Sequence, residues 1–170
     1  MRIVITGKPK SGKTTLVCSL LPLFPDWEGF YTTEIREGKE RKGFLIHPSS
    51  GKEEILAHKD LSYPHRWGRY RVNLEGLEMI LETLRKRIRE KKNYWVVIDE
   101  VGNMEMLSEK FRSFINNLKD FPGSILLTAG ERWLEEVRSI FPYREEYLLR
   151  RENWEEVREK IEKRVRREGR

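Results

Sequence analysis

The chain has 170 residues, 34 of them basic and 28 acidic for a formal charge of +6, and one cysteine, Cys18. That length suits a single domain spanning residues 1–170 with a substantial core. No stretch approaches the roughly 20 apolar residues of a membrane span, the start Met1-Arg2-Ile3-Val4-Ile5-Thr6-Gly7 is too short for a secretory signal, and one thiol excludes an internal disulfide framework.

A cytoplasmic protein with no membrane partner is therefore expected. Glutamine is absent and charged residues make up 36% of the chain, a composition typical of hyperthermophiles.

Residues 2–6 read as a short buried strand, and residues 12–21 as a helix stopped by Pro22 and Pro25. Residues 29–35 carry Phe, Tyr, Thr and Ile and suit a strand. Residues 43–47 and 54–57 read as a hairpin across the turn Pro48-Ser49-Ser50-Gly51. Residues 62–73 are expected to be irregular. Leu74, Leu77, Leu81, Leu84 and Ile88 recur at helical spacing over residues 74–91. Residues 94–99 form an apolar run ending in acid, as a buried parallel strand does. Ser108 caps a helix to about residue 118. A strand at 124–128, a helix at 132–140, a strand at 145–149 and a helix at 153–166 complete the chain. Strands alternating with helices predict an α/β fold, a mostly parallel sheet flanked by helices, with a small hairpin insertion.

Gly7-Lys8-Pro9-Lys10-Ser11-Gly12-Lys13-Thr14 matches G-x-x-x-x-G-K-[ST] at every fixed position. The glycines allow the backbone to turn so that successive N–H groups face one concave nest. The loop ends at a helix N-terminus, which favours anions. The phosphate-binding set is therefore Gly7 to Thr14 with the adjoining Thr15. Lys13 reaches the β- and γ-phosphates as a catalytic cation, and Thr14 offers its hydroxyl to Mg²⁺. The motif follows a strand and precedes a helix, as the chemistry requires.

Asp99 and Glu100 follow four apolar residues. An aspartate at the tip of a central strand can support Mg²⁺ opposite Thr14. Side chains alternate along a strand, so Glu100 faces another way and can polarise the attacking water.

Other strand ends are weaker candidates. Thr128 can contact the γ-phosphate or be satisfied by nearby backbone. Thr33, Glu34 and Arg36 end the second strand, with Arg36 either neutralising phosphate or solvated. Arg66, Arg69 and Arg71, interleaved with Trp67 and Tyr70, can form a lid or finger over a triphosphate. The same mixture can bind single-stranded nucleic acid or anchor a surface loop. His47, His58 and His65 show no ligand spacing, and the basic last helix reads as a solvated face.

Several blocks together resemble the THEP-type nucleoside-triphosphatases, a P-loop NTPase family of thermophiles with a vertebrate cancer-related relative. They are I-T-G-x-x-x-x-G-K-T-T-L at 5–16, Gly29-Phe30-Tyr31-Thr32-Thr33-Glu34-Ile35-Arg36, Arg41-Lys42-Gly43-Phe44, Gly68-Arg69-Tyr70-Arg71-Val72-Asn73 and Ile98-Asp99-Glu100-Val101-Gly102-Asn103-Met104-Glu105. The family often has lysine where this chain has Asn103.

The resemblance implies a RecA-like fold with an extra strand between the loop strand and the acidic strand, a place the strand at 29–36 would fill. It also implies Mg²⁺-dependent hydrolysis of ATP, GTP, CTP and UTP, with broad base tolerance. Lys13 and Thr14 would hold phosphate and metal, Asp99 would support Mg²⁺, and Glu100 would be the base. A small-molecule or nucleotide kinase, and a nucleotide-gated nucleic-acid module, are the competing readings.

Overall fold

The computed structural model describes residues 1–91 and 94–169. In chain order the elements are β1 (Arg2–Thr6), α1 (Lys13–Leu20), β2 (Glu28–Glu37), β3 (Glu40–Pro48), β4 (Glu54–His58), β5 (His65–Trp67), β6 (Tyr70–Val72) and α2 (Leu74–Glu90). They continue with β7 (Trp95–Val101), α3 (Glu109–Asn117), β8 (Ser124–Ala129), α4 (Leu134–Ile140), β9 (Glu145–Leu148) and α5 (Trp154–Glu168).

The strands form one sheet in the order β5-β6-β4-β3-β2-β7-β8-β1-β9. From β2 to β9 every neighbouring pair is parallel, and from β2 outward to β5 every pair is antiparallel. The strand between loop strand β1 and acidic strand β7 is β8. The expectation that residues 29–36 fill this place is corrected: β2 lies on the far side of β7, pairing Glu28 to Phe30 with Val96 to Ile98. Order along the chain does not fix order across a sheet. Here β7 reaches β8 by a crossover through α3, which places those two parallel strands side by side.

Alternation along the central strands sorts their side chains between two cores. Val4, Val96, Ile98, Ile125 and Leu127 face a cluster shared with α2 and α3. Ile3, Ile5, Val97 and Leu126 face another, with Leu16, Val17 and Leu20 of α1 and Val157, Ile161 and Val165 of α5. Both faces are covered, so these strands are continuously apolar.

The helix starts are set by caps. The Asn73 carboxamide oxygen accepts from Gly76 N–H at 3.0 Å, and Ser108 Oγ accepts from Phe111 N–H at 3.1 Å. Each such cap stabilises its helix by about 1 kcal/mol.

Two further expectations change. The segment at 62–73 is not irregular: it holds the β5–β6 hairpin, which turns at Gly68. The second strand does not end at Arg36 but runs to Glu37 and pairs antiparallel with β3. Strands of three residues are too short to display a period, and charged residues at the β2–β3 turn mask a strand that is half exposed.

Candidate active site

The phosphate loop joins β1 to α1. Gly12, at the helix N-cap, has φ 95° and ψ 24°, a left-handed conformation that glycine adopts without a Cβ clash. Lys10 is also left-handed, at φ 68°. Single left-handed residues among right-handed ones turn successive N–H groups into a nest for an anion.

Side chains at the start of α5 and in the turn just before it brace the loop. Trp154 Nε1 donates to Gly12 O at 3.0 Å, and Arg151 Nε donates to Lys10 O at 3.2 Å. Lys13 Nζ donates to Gly7 O at 2.8 Å and Lys8 O at 3.1 Å, so its ammonium lies across the loop mouth. Ser11 Oγ is buried and has no hydrogen-bond partner among the described residues.

Asp99 joins the loop to the sheet. Its Oδ2 accepts from Thr14 Oγ1 at 2.7 Å and its Oδ1 accepts from Thr128 Oγ1 at 2.6 Å. The side chain is almost wholly buried. Burial pushes its pKa up, while bonds from Thr128, Thr14 and the Thr32 backbone, with the charge of Lys13, pull the other way. Thr128 is thus satisfied by a carboxylate, a partner considered neither in its phosphate reading nor in its backbone one.

Glu100 turns toward the cleft. Burial, then the charge of Asp99, raises its pKa, with Lys13 opposing. Glu105 is also buried, and burial followed by repulsion from Glu100 raises its pKa well above the ordinary value. Both carboxyls approach Gly102: a Cβ there would lie 2.8 Å from Glu100 Oε1 and 3.1 Å from Glu105 Oε1.

These groups open into a cleft of about 650 Å³ at the carboxyl ends of the parallel strands, where open α/β sheets bind ligands. Gly7, Pro9, Lys10, Gly12, Lys13, Thr14 and Thr15 line one side. Lys8 is exposed and enters through its carbonyl. Thr33 and Glu34 line the cleft from within β2, and Thr33 Oγ1 bonds His47 Nε2 at 2.7 Å. Arg36 stays outside, paired to Glu34 at 2.6 Å.

The opposite wall comes from distant segments: Arg41, Phe44, Leu56, Trp67, Tyr70, Met104, Arg132 and Trp133. Arg41 Nε donates to Tyr70 Oη at 2.9 Å, and its guanidinium lies 5.1 Å from the Phe44 ring centre. The Arg132 guanidinium lies 5.3 Å from the Trp67 ring and 5.2 Å from that of Trp133. Asn103 Oδ1 accepts from Trp133 Nε1 at 2.9 Å.

The finger expectation for Arg66, Arg69 and Arg71 is corrected, because they line a separate pocket on the outer side of their hairpin. Trp67 and Tyr70, opposite each other in register, face the cleft in their place. The two cleft arginines, Arg41 and Arg132, were missed as site residues. The period-two placement of Arg41 on β3 would have been the usable signal, had β3 been read back to Glu40.

Thr14 Oγ1 and Asp99 supply hard oxygen donors beside the phosphate nest. That set fits Mg²⁺, which takes few protein ligands and keeps water and phosphate oxygens for the rest. The orphaned Ser11 hydroxyl in the loop fits a ligand with hydrogen-bonding oxygens. No described helix is long and apolar enough to cross a membrane.

The NTPase family matches residues 2–162. The chain is 42% identical to the nucleoside-triphosphatase THEP1 of Thermotoga petrophila over 143 residues, 82% of this chain and 79% of that protein. It superposes on the crystal structure of THEP1 from the hyperthermophile Aquifex aeolicus with TM-score 0.81 at 32% identity, covering 95% and 96% of the two chains. It also superposes on the solution structure of a human cancer-related nucleoside triphosphatase with TM-score 0.77 at 28% identity, over 96% of each chain. With the phosphate loop, the acidic strand end and the intervening β8 all in place, the chain belongs to this NTPase family.

Proposed function

We propose that the protein hydrolyses nucleoside triphosphates, ATP, GTP, CTP and UTP alike, to the diphosphate and inorganic phosphate with Mg²⁺ bound. The observation that carries this reading is the knot of Thr14, Asp99 and Thr128 beside Lys13 and Glu100. It sets oxygen donors, a cation and a free carboxylate around the mouth of one phosphate nest.

The loop amides grip the phosphates, and Lys13 exchanges its two carbonyl partners for β- and γ-phosphate oxygens. Thr14 and Asp99 would hold Mg²⁺, which would supply charge neutralisation for the transferring group. Glu100 orients a water in line with the γ-phosphorus. A new P–O bond forms to that water as the bond to the β-phosphate bridge oxygen breaks, and the water's proton passes to Glu100 or a phosphate oxygen. Thr128 fixes Asp99 and never touches phosphate. Recognition centred on the phosphates supports broad base tolerance, and a lone thiol supports a reducing compartment.

The kinase reading is favoured by one observation, the aromatic wall of Trp67, Tyr70, Phe44 and Trp133 facing the nest, which is larger than a water requires. Phosphate release from the four triphosphates with Mg²⁺, without acceptor, separates the two. Release from several triphosphates supports hydrolysis. Bound nucleotide with no release, followed by acceptor-dependent diphosphate formation, supports the kinase.

A further inference from the structure

The β5–β6 hairpin has two unlike faces. Trp67 stands opposite Tyr70 in register and both turn into the cleft, whereas Arg66 stands opposite Arg71 and both turn away from it. Gly68, with φ 57°, makes the tight turn between them, as a two-residue hairpin with glycine at its first central position requires.

Like charges directly opposite across a strand pair are destabilising. Several arginines form ion pairs, among them Arg36, Arg87, Arg138, Arg144, Arg158 and Arg164, and others such as Arg2, Arg112 and Arg132 bond backbone carbonyls or lie over aromatic rings. Among the described residues Arg66, Arg69 and Arg71 form no ion pair, although they sit within one six-residue span.

They converge on a concavity of about 410 Å³ whose other charged members are Lys59 and Asp60. Asp60 is already engaged by Lys42 at 3.4 Å, and Lys59 by Glu40. The three guanidinium groups thus share one pocket with a single carboxylate, Asp60, which pairs with Lys42 instead, and Arg71 Nη1 donates to the Tyr63 carbonyl at 3.3 Å. Guanidinium is the group best shaped for bidentate contact with phosphate oxygens. The pocket is not isolated from the cleft either: Arg69 Nη2 donates to Tyr70 Oη at 3.3 Å, the same oxygen that accepts from Arg41.

We propose that Arg66, Arg69 and Arg71 form a second anion site, distinct from the phosphate loop, for a compact ligand carrying two or more linked phosphates. Three guanidinium forks around one open concavity of about 410 Å³ favour a short phosphate chain over a single phosphate. The site stands apart from the hydrolysis reading, since no group in it belongs to the catalytic set.

The test is equilibrium dialysis of radiolabelled pyrophosphate against the full chain, with ADP saturating the phosphate loop. One pyrophosphate is expected to bind per chain, with affinity that falls as salt rises. In Arg66→Gln/Arg71→Gln that affinity should drop at least about tenfold, the loss of roughly one charge-assisted hydrogen bond. The melting temperature of the double variant should hold or rise, because a facing like-charge pair is removed. Arg69→Gln, in the turn, is the second variant and should weaken binding without touching the ladder.

Two results would overturn the proposal: no second pyrophosphate on the ADP-saturated protein, or binding that survives all three substitutions. A single-stranded oligonucleotide that binds more than tenfold tighter than pyrophosphate, and loses that affinity in the same variants, would overturn the compact-anion class in favour of nucleic acid. If the four triphosphates are not hydrolysed at all, the pyrophosphate result still stands or falls by itself.

Discussion

The two halves of the sheet are built differently. From β2 to β9 the strands are parallel, the central β7, β8 and β1 are buried on both faces, and they end in the loop, Asp99, Glu100 and Thr128. From β3 to β5 they are antiparallel and half exposed, and they end in arginines and aromatic rings. The parallel half offers the cleft mainly backbone groups and a few short side chains. The antiparallel half closes the cleft with long side chains that reach it from four strands. On the proposed reading, chemistry that depends on backbone geometry is thus concentrated in the parallel half, and the opposite wall of the cleft is left to the antiparallel one.

The sharpest way to break that division is at Glu100. Replacing it with glutamine should leave nucleotide binding near wild type while kcat falls by about 10²–10⁴, the range for loss of a positioned general base. Fluorescent-nucleotide titration and single-turnover phosphate release separate the two effects. A variant that turns over normally would move the chemistry out of the parallel half.

The next largest effect concerns the seam. Glu28 starts β2 and is fully buried, yet Arg87 Nε and Lys91 Nζ of the α2 end reach it at 2.8 and 2.7 Å, and Ser49 Oγ from the β3 turn at 2.9 Å. Burial pushes its pKa up, but these bonds outweigh burial and hold it below the ordinary value. Arg87→Ala/Lys91→Ala leaves that carboxylate buried and uncompensated and should cost about 3–5 kcal/mol. Glu28→Gln frees two half-exposed cations to rehydrate and should cost less, about 1–3 kcal/mol. Chemical denaturation would rank the two. The reverse order would mean that the cations, not the carboxylate, carry the strain.

The same division decides what could be read from the sequence. The loop, its helix and the acidic strand end are contiguous motifs whose physics is local, so Gly7 to Thr15, Asp99 and Glu100 were nameable from spacing. Buried parallel strands announced themselves as apolar runs. What failed was non-local. The place of β8 beside β1 depends on a crossover, which no window of residues displays. Thr128 meets Asp99 only because β7 and β8 are adjacent. The β5–β6 hairpin was hidden by its length, so a finger over the triphosphate stayed open for Arg66 and Arg71, when strand alternation sends Trp67 and Tyr70 into the cleft.

Arg41 tests whether the antiparallel wall participates or merely encloses. It bonds Tyr70 Oη and lies 3.4 Å from Glu34 at its Nη1, so it is held in the cleft as a fixed cation. If it faces the developing charge on the γ-phosphoryl group, Arg41→Ala should lower kcat roughly tenfold to a hundredfold, as removal of a preorganised donor does. Steady-state kinetics gives the split. A rise in KM with kcat unchanged would make the wall a binding surface alone, and the halves would then divide binding from chemistry more cleanly.

The smallest expected effect is on stability. Glu105 belongs to the parallel side, is buried, and holds its proton more tightly when folded, first because of burial and then because of Glu100. Between its unfolded and folded pKa the folded state therefore binds more protons than the unfolded chain. Stability is fully present below the ordinary glutamate range and is lost as pH rises toward the elevated folded value. Glu105→Gln keeps a neutral side chain of the same shape and removes that titration. Melting curves of the nucleotide-free protein, recorded across this range, should slope downward with pH in the wild type and be flatter in the variant by a few degrees. Parallel slopes would show that Glu105 is charged in the folded protein. The carboxyls beside Gly102 would then be a repelling pair held together by the fold, and the parallel half would store strain at the point where Glu100 needs it.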